Sequence, residues 1–152
     1  MKHLLLALTL FVSTQAHAIK WEIYGACSNK PVHQGDYQAD LTHSVGAISI
    51  EIFDANKFPY VGAEEGINSL LNSPIGLEAI EVVSDTKMRA YGWCYTVNGQ
   101  QPTEMPQFLN FDNQNDKLVW FYAYSNFENN KWGDYCIPAY HIKAAQFCAP
   151  KK

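Results

Sequence analysis

Cysteine is the residue type in this 152-residue chain whose chemistry can be predicted most directly from number and spacing. The four cysteines are Cys27, Cys94, Cys136 and Cys148. They contain no C-x-x-C or C-x-H pair that would bring two zinc ligands from one tight turn. A cysteine nucleophile needs a thiolate and a nearby base. Cys94 stands between Trp93 and Tyr95 on a predicted strand, so we interpret it as half of a disulfide rather than as a nucleophile. An even cysteine count in an exported chain therefore predicts two disulfides, and three pairings stay open.

The other residues that can do metal or acid–base chemistry are scattered along the chain. His33, His43 and His141 each stand apart from another His or Cys, so no metal site is predicted. No G-x-S-x-G elbow supports a serine nucleophile. Asp112 and Asp116 resemble the start of a calcium loop but lack its glycine and distal glutamate, which favours a solvated loop. The sequence predicts no catalytic residue and no cofactor.

Aromatic side chains crowd the second half of the chain and offer a different chemistry. Flat rings beside amides can stack on sugars or hold a peptide. The predicted ligand-binding residues are Trp93, Tyr95, Asn98, Trp120, Tyr122 and Trp132. The alternative is that most of these rings are core, since strand alternation turns about half of them inward.

The first 18 residues have the pattern of a signal peptide. Lys2 and His3 precede a mostly apolar run over residues 4–12, and Ala16-His17-Ala18 has the small-x-small form of a cleavage site after Ala18. The run is much shorter than the roughly 20 residues that span a bilayer. We therefore expect a periplasmic or secreted protein without a membrane anchor.

Residues 19–152 are predicted to form a single domain. Lys2 is the only charged side chain in the leader, so its removal leaves 10 basic side chains against 15 acidic ones. A domain of that sign is a poor candidate for binding nucleic acid through its overall field.

The elements that must position these residues are mostly strands. Short alternating runs predict strands at residues 21–24 and 37–41, and brief apolar runs follow at residues 67–71 and 79–83. Residues 91–97 run into Asn98-Gly99, the preferred pair of a two-residue type I′ hairpin turn. Residues 117–124 are apolar on both faces, as in a central strand. Residues 44–56 are ambiguous, because the isoleucine alternation favours a strand while a helix capped by Ser44 also fits.

Two late segments carry a family resemblance. Residues 91–99 read YGWCYTVNG and residues 116–122 read DKLVWFY. This pair resembles the C-terminal domain of transcobalamin and intrinsic factor, which also occurs in bacterial exported proteins of unknown function. The resemblance implies a β-grasp-type sheet around one helix and places that helix at residues 44–56, against the periodicity.

The chain also departs from that family. Cys94 replaces a residue that is usually apolar, residues 73–88 form a longer segment, and residues 126–148 have no counterpart. The vitamin carriers use this domain against a large helical domain, and no cobalamin-contacting residue carries over by position. Cobalamin is therefore not expected as a ligand.

The sequence thus predicts an α+β fold, with a β-grasp-like mixed sheet packed on one helix and a C-terminal extension pinned by a disulfide. The first functional hypothesis is an exported, non-enzymatic binding module for an unknown small ligand, glycan, peptide or protein surface. An exported hydrolase or hydrolase inhibitor and a structural cell-envelope protein are the alternatives.

Overall fold

The computed structural model describes residues 18–149. The predicted signal peptide lies outside the described residues except for Ala18, so its cleavage stays a prediction. None of the helices within residues 18–149 is long and apolar enough to cross a membrane. The elements are β1 (Ile19–Tyr24), β2 (His33–Tyr37), α1 (Val45–Ala55), β3 (Tyr60–Ala63), β4 (Gly66–Leu70), β5 (Ile80–Ser84), β6 (Lys87–Val97), β7 (Lys117–Glu128), β8 (Lys131–Pro138) and α2 (Ala145–Cys148).

The main sheet has the strand order β2-β1-β7-β6-β5. Strand β8 pairs with β7 on the same edge as β1 but farther along β7, at residues 123–128. The central pair, β1 and β7, is parallel, and the other neighbours are antiparallel. Strands β3 and β4 form a separate two-stranded sheet. In the β-grasp arrangement, a parallel central pair of strands is flanked by antiparallel strands, and a helix follows the first two strands in the chain. This structure has that arrangement, with α1 after β1 and β2. The predicted α+β fold class is confirmed.

Helix α1 settles the ambiguous segment. The buried residues Val45, Ile48, Ser49, Ile52 and Phe53 recur at helical spacing and pack against β1 and β7. The Ser44 hydroxyl caps the helix by accepting a hydrogen bond from the Ala47 N–H at 3.1 Å. The periodicity indicated a strand and was wrong, while the helix implied by the family resemblance is present.

The C-terminal segment covers the part of the sheet that α1 does not reach. Ala139 and Ala144 form a second buried cluster with Tyr91 and Tyr122, and Phe147 packs against it. A disulfide between Cys27 and Cys148 attaches this segment to the loop after β1. The predicted disulfide-pinned extension is therefore confirmed.

The second disulfide joins Cys94 on β6 to Cys136 on β8, which resolves the pairing that the sequence left open. Both strands pair with β7, from opposite sides. Three residues of β8, 134–136, oppose the single Ser125 of β7, so β8 bulges at this point. Asp134 and Cys136 have positive φ within the bulge, which brings Cys136 to Cys94 across β7.

The turn predicted at Asn98-Gly99 is confirmed. Asn98 and Gly99 have φ of 52° and 76°, and Val97 and Gln100 exchange two backbone hydrogen bonds, as a type I′ turn requires. One prediction is wrong in detail. The second strand lies at His33–Tyr37 rather than at residues 37–41, because it pairs with β1. Residues 60–63 form β3, a strand that was not predicted.

The loop before β7 is organised by a buried carboxylate and is not simply solvated. Asp116 is buried and accepts four hydrogen bonds, two on each oxygen. The donors are the side-chain amides of Asn98 and Asn113 on Oδ1 and the backbone N–H groups of Asp112 and Asn113 on Oδ2. Burial alone would raise the pKa of Asp116, but these hydrogen bonds hold it below its ordinary 3.8. Asp116 thus ties the β6 turn to the start of β7.

Asp116→Asn should lower the free energy of unfolding by about 2–4 kcal/mol, because an amide turned either way points its NH₂ at two donors. Asp112→Asn is the matched control, since the Asp112 side chain is exposed and only its backbone N–H is used. Urea denaturation measures both.

The same pair of variants carries a pH dependence. The folded-state pKa of Asp116 lies below its ordinary value, so its contribution is complete above about pH 4 and is lost as pH falls through the folded pKa. The stability gap between wild type and Asp116→Asn should therefore close on acidification. A gap that stays constant down to about pH 2 would contradict the assignment.

Candidate functional site

Two of the six predicted ligand-binding residues lie in the core. Trp120 is 3% exposed and Tyr122 is 2% exposed, so for these two rings the structure shows the core position that the sequence left open. The reason is the position of β7, which has neighbours on both edges and covered faces. Helix α1 covers Trp120, and the C-terminal segment covers Tyr122.

Tyr95 and Asn98 serve the fold in this structure. Tyr95 packs 5.2 Å from the Trp120 ring, and its hydroxyl donates to the Glu104 carbonyl at 2.8 Å. The Asn98 amide accepts from the Lys117 N–H at 2.9 Å and donates to Asp116 at 2.9 Å. Both side chains therefore already have partners within the protein.

Trp132 is the predicted residue whose ring is most open to solvent, at 44% exposure. It lies near the start of β8, and its ring centroid is 5.0 Å from that of Phe127. Cross-strand register continues this pair through Met88 to Val82, which is 77% exposed. We call Val82, Met88, Phe127 and Trp132 the apolar row.

Trp93 and Tyr122 come together at a groove that the sequence did not reveal. Trp93 is partly buried, and its ring centroid is 5.4 Å from that of Tyr122. The groove lies between residues 25–27 with Val32, residues 70–74, and Gln146 with Phe147, and its volume is about 410 Å³. We call it the Tyr122 groove. Pockets of roughly 300–1,000 Å³ with apolar walls are typical of small-molecule sites.

One wall of the Tyr122 groove is a tight turn after β4. Leu71 and Asn72 both have positive φ, 56° and 59°, and the Ser73 N–H donates to the Leu70 carbonyl at 3.1 Å. This backbone conformation is unusual for a leucine, and such strain often occurs at ligand sites. It is held here because the Leu71 N–H donates to the Pro59 carbonyl and the Ser73 hydroxyl accepts from the Trp93 indole at 2.8 Å.

The opposite wall is the C-terminal helix α2. Phe147 makes edge contacts with the Tyr91 and Tyr122 rings, at centroid distances of 4.7 and 5.4 Å. None of the four residues of α2 is buried, and its first turn has no side-chain cap. The Cys27–Cys148 disulfide therefore has a large share in holding this wall in place.

Tyr122, one of the residues that line the groove, carries an unusual polar group, its hydroxyl. It is buried and finds no hydrogen-bond partner among residues 18–149. Leaving such a donor unpaired costs about 1–3 kcal/mol. Burial raises the pKa of Tyr122 to about 12, so at neutral pH the hydroxyl is protonated and can donate.

Tyr91, on the neighbouring strand β6, has a hydroxyl with a hydrogen-bond partner, in contrast to that of Tyr122. Its ring stacks 5.9 Å from the Tyr122 ring, and its hydroxyl donates to Glu81 at 2.5 Å. Burial, together with that carboxylate, raises the pKa of Tyr91. Burial opposes ionisation of Glu81, but hydrogen bonds from Tyr91 and Arg89 lower its pKa below the ordinary value. This cluster is a structural ion pair rather than part of the groove.

Titratable groups elsewhere do not converge on the groove either. His43 is 2.7 Å from Glu51, which also accepts from the Tyr37 hydroxyl, and these side chains lie between α1 and the strand β2. A search of the described part of the chain finds no cluster of three His, Cys, Asp or Glu side chains able to hold a metal ion. The groove is lined by uncharged residues throughout.

Comparison of the chain with protein-family models, with curated proteins and with solved structures finds no match. The resemblance to the transcobalamin domain family stays a prediction.

Replacing each of these tyrosines by phenylalanine should change the free energy of unfolding in opposite directions. Tyr122→Phe removes an unpaired buried donor and should raise the free energy of unfolding by about 1 kcal/mol. Tyr91→Phe removes a donor to Glu81 and should lower it by about 1–2 kcal/mol. Chemical denaturation of the two variants beside wild type measures both changes. A destabilised Tyr122→Phe would mean that its hydroxyl has a partner in the folded state.

Proposed function

We propose that this protein is an exported, non-enzymatic binding module and that the Tyr122 groove is its ligand site. The observation that carries the proposal is a buried hydroxyl donor without a partner, on a residue that lines an apolar groove of ligand size. Proteins pair nearly all buried polar groups, so an unpaired one marks a place where another molecule can supply the bond.

Two further features support binding at this place. The groove is walled by the rings of Trp93, Tyr122 and Phe147, which provide large apolar contact area. Its turn keeps Leu71 in a left-handed conformation, a kind of backbone strain that often occurs at ligand sites.

A hydrolase is the weaker hypothesis because the groove lacks groups for acid–base work near neutral pH. Its titratable lining residue is Tyr122, with a pKa of about 12, and its cysteine, Cys27, is in a disulfide. The ionised Glu81 lies in a structural ion pair with Arg89 at 2.9 Å. A nucleophile with a neighbouring base would be expected in an enzyme of this class.

Export is supported by the two disulfides, which are typical of proteins that mature outside the cytosol. The β-grasp topology agrees with the transcobalamin-like domain that residues 91–99 and 116–122 resemble. The groove does not fit cobalamin itself. It has no histidine in its lining, and its 410 Å³ suits a drug-sized ligand rather than a corrinoid.

Protein binding through the apolar row is the second candidate function. Its support is a row of apolar cross-strand neighbours over four strands, in which Val82 and Trp132 at the ends are exposed and Met88 and Phe127 between them are partly buried. Exposed apolar surface of this kind is found at protein–protein contacts. A hydrolase inhibitor or a structural cell-envelope protein would bind its partner protein in this way.

A groove-filling substitution tests the first proposal. A Cβ atom at Gly25, which lines the groove, would meet only Val32 Cγ1, at 3.5 Å, so we expect Gly25→Leu to narrow the groove without disturbing the backbone. Gly133→Leu on β8 is the matched control, because nothing lies within 4 Å of the added carbon. We expect small uncharged aromatic compounds to shift the indole N–H resonance of Trp93, with affinity at least tenfold weaker in Gly25→Leu and unchanged in Gly133→Leu.

Three results would contradict this assignment. The first is a set of compounds that bind Gly25→Leu as well as wild type. The second is binding that moves the Trp132 indole resonance and leaves Trp93 unchanged, which would favour the apolar row. The third is turnover of an ester, peptide or glycoside that Gly25→Leu abolishes, which would favour the hydrolase.

A further inference from the structure

We propose that the ligand of the Tyr122 groove is a neutral, largely apolar molecule with a hydrogen-bond acceptor, and that the Tyr122 hydroxyl donates to that acceptor. This identification of the ligand class rests on the function proposed above. A carbonyl, ether or amide oxygen on a flat hydrocarbon or aromatic body has the required chemistry.

The requirement for neutrality follows from the lining. None of the residues that form the groove carries a charge. A carboxylate or ammonium group placed there would lose its hydration without gaining a counter-ion, which is strongly unfavourable. The polar groups available are amides and hydroxyls, from Asn72, Ser73, Gln146 and Tyr122. These suit a ligand with one or two neutral polar atoms.

The requirement for an acceptor follows from the state of Tyr122. Its hydroxyl is protonated at neutral pH and is left without a partner among the residues that the structure describes. The neighbouring donor, the Trp93 indole N–H, already gives its hydrogen bond to Ser73 at 2.8 Å. A ligand donor group facing Tyr122 would satisfy the oxygen but leave the phenolic hydrogen unpaired, so an acceptor is favoured.

The preference for a flat body follows from the rings around that hydroxyl. Trp93 is tilted by 56° to the Tyr122 ring, and Phe147 stands at 88° to it. Faces and edges of aromatic rings are therefore both presented, and a planar ligand can be stacked by one ring and met edge-on by another.

Access to the hydroxyl requires a small movement of one wall. Tyr122 is 2% exposed, so a ligand reaches its oxygen by displacing a neighbour. The turn at residues 70–74 is fixed by Ser69, Ser73 and Trp93, whereas α2 contributes no buried residue. We assign the movement to Gln146 and Phe147, with the Cys27–Cys148 disulfide keeping the displaced wall attached.

Three probes of nearly equal size test the ligand class: 2-ethylnaphthalene without an acceptor, 2-acetylnaphthalene with a neutral acceptor, and 2-naphthoate with a charged one. Titration of the Trp93 indole resonance gives each dissociation constant. In wild type the ketone should bind about five- to tenfold more tightly than the hydrocarbon, as one net hydrogen bond provides. The naphthoate should bind at least tenfold more weakly than the ketone.

Tyr122→Phe should remove the advantage of the ketone and leave the affinity for the hydrocarbon unchanged. Tyr95→Phe is the matched control, because the Tyr95 hydroxyl donates to the Glu104 carbonyl outside the groove lining. It should keep the five- to tenfold advantage.

The outcomes separate the ligand class from the proposed function. Equal affinities for ketone and hydrocarbon in wild type, or tightest binding of the naphthoate, would overturn the ligand class, while a loss of binding in Gly25→Leu would still support the groove. An advantage of the ketone that survives Tyr122→Phe would also overturn it. Binding of all three probes that is insensitive to Gly25→Leu, or no binding of any, would overturn the groove itself.

Discussion

The burial of β7 on both faces is the constraint on which the rest of this structure depends. Its residues 118 and 120–123 are buried, and it pairs with β1 and β8 on one edge and with β6 on the other. The buried stretch of such a strand must be covered on each face. On the face that carries Trp120 and Tyr122, helix α1 covers the half next to β1, and it is too short to cover the half next to β8. The C-terminal segment fills that place, and because it contributes few buried side chains the Cys27–Cys148 disulfide supplies the attachment.

The two covers treat the polar groups of β7 differently, and this difference produces the candidate site. Trp120 and Tyr122 alternate onto the same face and are both nearly inaccessible. Helix α1 offers the Ser49 hydroxyl, which accepts from the Trp120 indole at 3.0 Å. The C-terminal segment offers no acceptor to Tyr122 within residues 18–149. One buried donor is thus satisfied by the fold and the other is left for a partner that the fold does not supply.

The sequence allowed prediction of the elements whose signals are local. Asn98-Gly99, the long strands on either side of it and the two disulfides all follow from residue types and spacing, and the structure confirms them. Helix α1 could not be assigned from periodicity, because Ile48, Ile50 and Ile52 fit a strand equally well; only the family resemblance favoured the helix. The role of Asp116 was missed because three of its four partners come from the adjacent loop and the fourth from Asn98, 18 residues earlier.

The Tyr122 groove could not be predicted because it exists only where three distant segments meet. Asn72-Ser73-Pro74 is recognisable as a break in the chain, but nothing local indicates that it faces Phe147 across Trp93. The same reasoning explains why the number of aromatic residues could not show which rings are buried. The rings of β7 are buried because the strand is central, and of these Tyr122 lines the groove, which is completed by residues from other segments. The wall at residues 70–74 is fixed by hydrogen bonds, including the one from the Trp93 indole to Ser73. The wall at α2 has no buried residue and is attached by the Cys27–Cys148 disulfide, so it is the wall that can move.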